Sequence, residues 1–103
     1  MTETTIDVAC APEDGSWVCG VRVDDGGDWT AHEVTVPPAA VSRLIPGGDA
    51  NAGADGVEGL VRETFVFLLE REPKESILHR FEIDVVSRYF PEYEREIRRR
   101  LTR

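Results

Sequence analysis

The pair Asp14-Gly15 constrains this chain more than any other two residues. It lies between TIDVACAPE and SWVCGVRVD, two stretches in which apolar and polar side chains alternate. Alternation with period two reads as half-buried strands. Asp-Gly is a preferred two-residue hairpin loop, because both central positions require positive φ. With Asp14 and Gly15 at the tip, residues pair when their numbers sum to 29. Ile6 then meets Val23, Val8 meets Val21, Cys10 meets Cys19 and Pro12 meets Trp17, so one face is wholly apolar. On the other face Asp7 lands opposite Arg22, an opposite-charge cross-strand pair.

A second hairpin follows. Gly26-Gly27 as its loop places Trp17 opposite Val36, Cys19 opposite Val34 and Val21 opposite His32, whereas a longer loop brings His32 opposite Cys19. Either way His32, Val34 and Val36 share the apolar face. Pro38 suits the first turn of a short helix, PPAAVSRL. The stretch PGGDANAGADG, residues 46–56, is too rich in glycine and small residues for regular structure. It reads as a loop within one domain, since three strands alone would be marginal.

Asp55-Gly56-Val57-Glu58 has the form of a capping box and opens the strongest helical pattern. Val57, Leu60, Val61, Phe65 and Leu68 follow helical spacing, with Thr64 filling the gap. Pro73 should end that helix and start another, whose buried side is Ile77, Leu78 and Phe81. Glu70–Lys74 and Arg71–Glu75 could bridge the corner as exposed charges. Asp84 can cap a third segment, VVSRYF, which Pro91 stops. The tail then keeps Tyr93, Ile97 and Leu101 on one stripe.

The run LVRETFVFLLEREPKESILHRFEIDVVSRYFPEYEREI, with TAHEVTV upstream, resembles a family of small prokaryotic proteins whose function is not established. They share a Leu-Glu-Arg-Glu-Pro-Lys-Glu-Ser-Ile-Leu run and then a Tyr-Phe-Pro-Glu-Tyr-like segment. The likeness spans roughly residues 30 to 97. It implies no activity, cofactor or partner.

The length of 103 residues allows one domain. A hydrophobic content of 41% beside 31% charged residues favours a folded globule. No apolar run approaches the roughly 18 residues of a membrane span, and MTETTIDVAC has no signal-peptide pattern. A cytoplasmic protein without membrane contact is expected. Net charge is −8, and residues 1–55 hold all of the excess, with two Arg against ten acids. That balance disfavours nucleic acid on the sheet.

Cys10 and Cys19 have three readings. They can be two small buried hydrophobes, or a cross-strand disulfide at a non-hydrogen-bonded pair. With His32 they could also supply three ligands to zinc, although the spacing is not a C-x-x-C knuckle. Ser76 and His79, three apart on the expected helix, lack a nucleophile elbow or oxyanion loop. The carboxylate pairs Glu70/Glu72, Glu92/Glu94 and Asp24/Asp25 read as solvated, and neither Gly-rich stretch is a phosphate loop.

Two short helices around RFEID, with Arg88 and Tyr89 on the second, faintly suggest a helix-turn-helix. The tail adds five Arg over residues 95–103. Pairs Glu94–Arg98 and Glu96–Arg100, together with the helix dipole, account for those arginines without nucleic acid.

The expected architecture is α+β: a three-stranded antiparallel β-meander, about residues 5–36, covered on one face by three to four helices. A short helix at about 38–44 and the loop at 46–56 precede a helical region over 57–102, all in a single domain. The leading functional expectation is a non-enzymatic protein-interaction module, acting as a homo-oligomer or on another protein. Its candidate contacts are Arg88, Tyr89, Tyr93, Arg98 and Arg99. A small nucleic-acid-binding regulator and a Cys/His metal protein are the alternatives.

Overall fold

A computed structural model describes residues 3–45 and 53–102. The first hairpin joins β1 (Thr5–Glu13) to β2 (Ser16–Asp24), and β3 (Trp29–Val36) follows. Asp14 at φ 52° and Gly15 at φ 84° make the expected left-handed tip. The register is the expected one throughout, with Ile6 on Val23, Cys10 on Cys19 and Pro12 on Trp17. Gly26, at φ 91°, opens the second tip, and Trp17 pairs with Val36 and Val21 with His32. The shorter of the two loops is therefore the one formed. Asp7 does lie opposite Arg22, yet the guanidinium turns to Asp24 and lies 4.6 Å from the Trp29 ring centroid.

The sheet has a fourth strand that the helical reading of the corner missed. After α1 (Pro38–Leu44) and α2 (Gly53–Leu69), a single 3-10 turn at Lys74–Ser76 leads to β4 (Arg80–Glu82). β4 pairs in parallel with β3, Val34 facing Phe81, and gives the strand order β1-β2-β3-β4. The helix expected from Pro73 to Phe81 is thus replaced by a turn and a strand. Two short helices, α3 (Val85–Tyr89) and α4 (Tyr93–Thr102), complete the chain.

The capping box is also replaced. α2 begins at Gly53, so Asp55 lies inside its first turn; the rest of the Gly-rich stretch, 46–52, is outside the described residues. Glu58 instead accepts the Cys10 backbone N–H at 3.0 Å. Cys10 is at a position where that N–H points away from β2, so Glu58 satisfies an edge donor. Pro12 has no such donor, and Arg62 reaches the Ile6 carbonyl at 3.4 Å. The β1 edge is closed by a helix side.

α2 is apolar on two sides. Val57, Val61 and Phe65 are buried with Val21, Val23, Val34 and Val36 of the sheet. Phe67 meets two rings edge-on, Tyr93 of α4 at 5.3 Å between ring centroids and Phe90 at the end of α3 at 5.8 Å. Tyr93 is fully buried, and burial pushes its phenol up. Thr64 gives its hydroxyl proton to the Leu60 carbonyl at 2.8 Å. The Tyr93 hydroxyl must therefore be the donor in the 2.7 Å contact between them. Tyr93 is a core residue, and its expected role as a surface contact is withdrawn.

Candidate interaction groove

Leu68 ends the buried stripe of α2, and Pro73 prevents its continuation. The amides of Arg71 and Glu72 both return to the Leu68 carbonyl at 2.9 Å, closing the helix. The turn that follows is pinned by Lys74, which is only 7% exposed. Its ammonium donates to Asp25 at 2.7 Å and Glu75 at 2.6 Å, so the turn is tied to the second hairpin. Donation from Lys74 lowers Asp25 to about 2, and the two carboxylates raise Lys74 in return. Neither Glu70–Lys74 nor Arg71–Glu75 forms; Glu70 binds Arg71 and Arg100, and Arg71 also reaches Glu92.

From Ile77 the backbone is extended, and side chains leave it on opposite sides. Phe81 and Ile83 go to the core, Arg80 and Glu82 to solvent, and Leu78 is left half exposed at 50%. The pairing onto β3 is completed by a reciprocal histidine clamp. His32 donates its Nδ1–H to the Leu78 carbonyl at 2.8 Å, and His79 donates to the Ala31 carbonyl at 3.1 Å. Each imidazole thus bonds the residue that precedes the other. The rings stack at 5.6 Å, and the Glu33 amide donates to the His79 carbonyl at 2.7 Å. Burial lowers the His32 pKa, as does the neighbouring His79, against the opposing bond to Leu78.

Between this extended segment, the end of α2 and α3 lies a groove of about 460 Å³. Leu68 and Glu72 come from the α2 side, Ile77, Leu78 and Phe81 from the extended segment, and Val86 and Tyr89 from α3. Tyr89 is 69% exposed on its rim. Large apolar side chains left half open around a concavity are the usual mark of a contact surface. Apart from Glu72 and Ser76, the lining offers the Tyr89 hydroxyl as its polar side-chain group.

The expected site residues are dispersed. Arg88 is exposed beside Tyr89, whereas Arg98 and Arg99 lie on α4 and do not line the groove. Arg99 pairs with Glu96, as does Arg100 at the expected i,i+4 spacing. Glu94 binds Arg43 at 3.1 Å instead of Arg98. Asp84 stands at the start of α3, but its carboxylate serves Arg43 rather than the helix amides. The helix-turn-helix is absent, because the first of its helices is β4.

Cys10 and Cys19 face each other with Cα atoms 4.0 Å apart and are joined as a disulfide. His32 does not complete a metal site with them. Its second nitrogen meets the Thr30 hydroxyl at 2.8 Å, and the sulfurs are bonded to each other. Among the described residues no group of three or more His, Cys, Asp or Glu is placed to hold a metal. Ser76 and His79 do not share a helix face either; one lies in the turn and the other bonds Ala31.

Helical period at the corner places Leu78 on a buried side, whereas it is half exposed on the groove. The alternation Ile77, Phe81, Ile83 around polar Arg80 and Glu82 is a strand signal that turns Leu78 outward, whereas no signal in the sequence marks Glu72. No family model, curated protein or solved structure matches the chain. Among the described residues no helix is long and apolar enough to cross a membrane.

Proposed function

We propose that this protein is a non-enzymatic interaction module that binds another polypeptide through the groove beside β4. The observation that carries this reading is the half-open pair Leu78 and Tyr89 around an apolar concavity. Binding there would remove apolar surface from water, the usual core of a protein interface. The turn holding the groove is pinned by Lys74 and the histidine clamp, so its walls are preorganised and little ordering cost is due on binding. Two arginines of the tail, Arg99 and Arg100, are engaged with Glu70 and Glu96, which takes those cations from the nucleic-acid reading.

The test is quantitative. The tagged chain and its Leu78→Asp variant are used to recover partners, which are then purified and titrated by calorimetry. Binding that is lost in Leu78→Asp but kept in an Arg98→Ala, Arg99→Ala variant supports the groove. Equal affinity of the wild-type and Leu78→Asp chains overturns it.

A further inference from the structure

Six carboxylates stood in sequence pairs, and the structure treats one of them differently. Glu70, Glu92 and Glu94 each meet an arginine, Asp25 meets Lys74, and Asp24 accepts the Gly26 amide at 2.8 Å. The Glu72 carboxylate has no hydrogen-bond or ion-pair partner among the described residues. It is partly buried and lies on the wall of the groove. Arg88 is not among the lining residues, so Glu72 is the single formal charge on that wall. An apolar occupant without a cation would cover this carboxylate and strip its water with nothing in exchange, which is costly.

Two further features favour a positive partner. The last turn of α2 carries no basic residue, and helix C-terminal carbonyls add negative potential beside Glu72. Arg71 offsets only part of this, through the Phe67 carbonyl at 3.0 Å. The whole chain is at −8, so long-range attraction acts in the same direction.

We infer that the groove takes an apolar segment of a partner protein that carries a lysine or arginine, with the cation seated on Glu72. This rests on the groove reading above and adds the chemistry of the occupant. Apolar anchors supply affinity, while the ion pair sets which segments are admitted and in which direction they lie.

The probe is a displayed library of random peptides selected on the full-length chain, with the retained peptides synthesised and titrated. Retained peptides should combine aliphatic or aromatic anchors with Lys or Arg. Leu78→Asp should abolish their binding, with Tyr89→Ala as the second groove variant if Leu78→Asp misfolds by circular dichroism. Glu72→Gln should weaken them about tenfold, a moderate value for a close interfacial pair. Glu72→Lys should shift a fresh selection towards Asp and Glu. If Leu78→Asp abolishes binding while both Glu72 variants change neither affinity nor composition, the groove stands and the cation is overturned. Binding indifferent to Leu78→Asp, or no binder at all, overturns the groove and the cation together. A wild-type dimer by light scattering that Leu78→Asp renders monomeric, with peptides excluded, assigns the groove to a second copy and overturns the proposal.

Discussion

The two flanks of the sheet are finished in different ways. β1 is nine residues long, and α2 closes it with Glu58 on the Cys10 amide and Arg62 on the Ile6 carbonyl. β4 is three residues long, held by a pair of stacked histidines and bordered by an open apolar groove. A strand edge left unpaired invites other chains to add to it. The difference teaches that one flank is covered by a helix while the other leaves apolar surface open. The same helix serves both, since α2 covers the β1 edge with its polar side chains and forms a groove wall at its end.

The strongest way to break the comparison is to remove the seam between the flanks. Phe65 packs on His32 at 5.2 Å and on Phe81 at 6.2 Å between ring centroids. Phe65→Ala should cost about 3–5 kcal/mol in urea denaturation and loosen both sides together. A loss below about 1 kcal/mol would mean that the flanks do not share this core. Reducing the Cys10–Cys19 disulfide acts next, on the β1 flank alone. Its cysteines are nine positions apart in sequence, so loop entropy predicts a loss of about 2–3 kcal/mol. Thiol titration before and after reduction, paired with denaturation, measures it.

Glu58→Ala should cost about 1 kcal/mol, because a charge-assisted bond to a partly buried amide is lost. Hydrogen exchange at the Cys10 amide should speed up while the His79-bonded Glu33 amide stays protected. Acidification probes the opposite flank. His32 has a folded pKa below its ordinary 6.5, so the unfolded chain takes up its proton first. The stabilisation is complete above that value and is lost as pH falls towards the folded pKa. His79, Phe65 and the Glu33–Arg80 ion pair surround the site. Protection of the Glu33 amide should fall with pH, and His32→Gln should flatten that slope. The smallest effect is expected from Leu78→Asp, whose stability should stay within about 0.5 kcal/mol of wild type. A much larger loss would show Leu78 to be structural rather than a contact residue.

Legibility differed between the flanks for a physical reason. Strand pairing in β1, β2 and β3 depends on tight turns, and a turn pair such as Asp14-Gly15 announces its own geometry. Alternation then carries the register outwards residue by residue. At the Pro73 corner the apolar residues Ile77, Leu78 and Phe81 fit a helix as well as a strand, and short apolar runs are ambiguous in that way. Glu58 shows the same limit. Its spacing from Asp55 suits a cap, but α2 begins at Gly53, and the orphan amide of Cys10 was the better partner.

Sequence alone therefore determined the register of the first hairpin, the facing cysteines, the apolar sheet face and the start of α1 at Pro38. Those follow from backbone rules that act over a few residues. Tertiary structure decided the fourth strand, the burial of Tyr93, the histidine clamp and the isolation of Glu72. Each depends on groups far apart in the chain, as His32 and Leu78 are. A residue whose local preference is balanced takes the conformation that satisfies its distant neighbours' hydrogen bonds. Residues 80–82 became a strand because the edge of β3 offered them and their neighbours backbone partners that a helix would have left open.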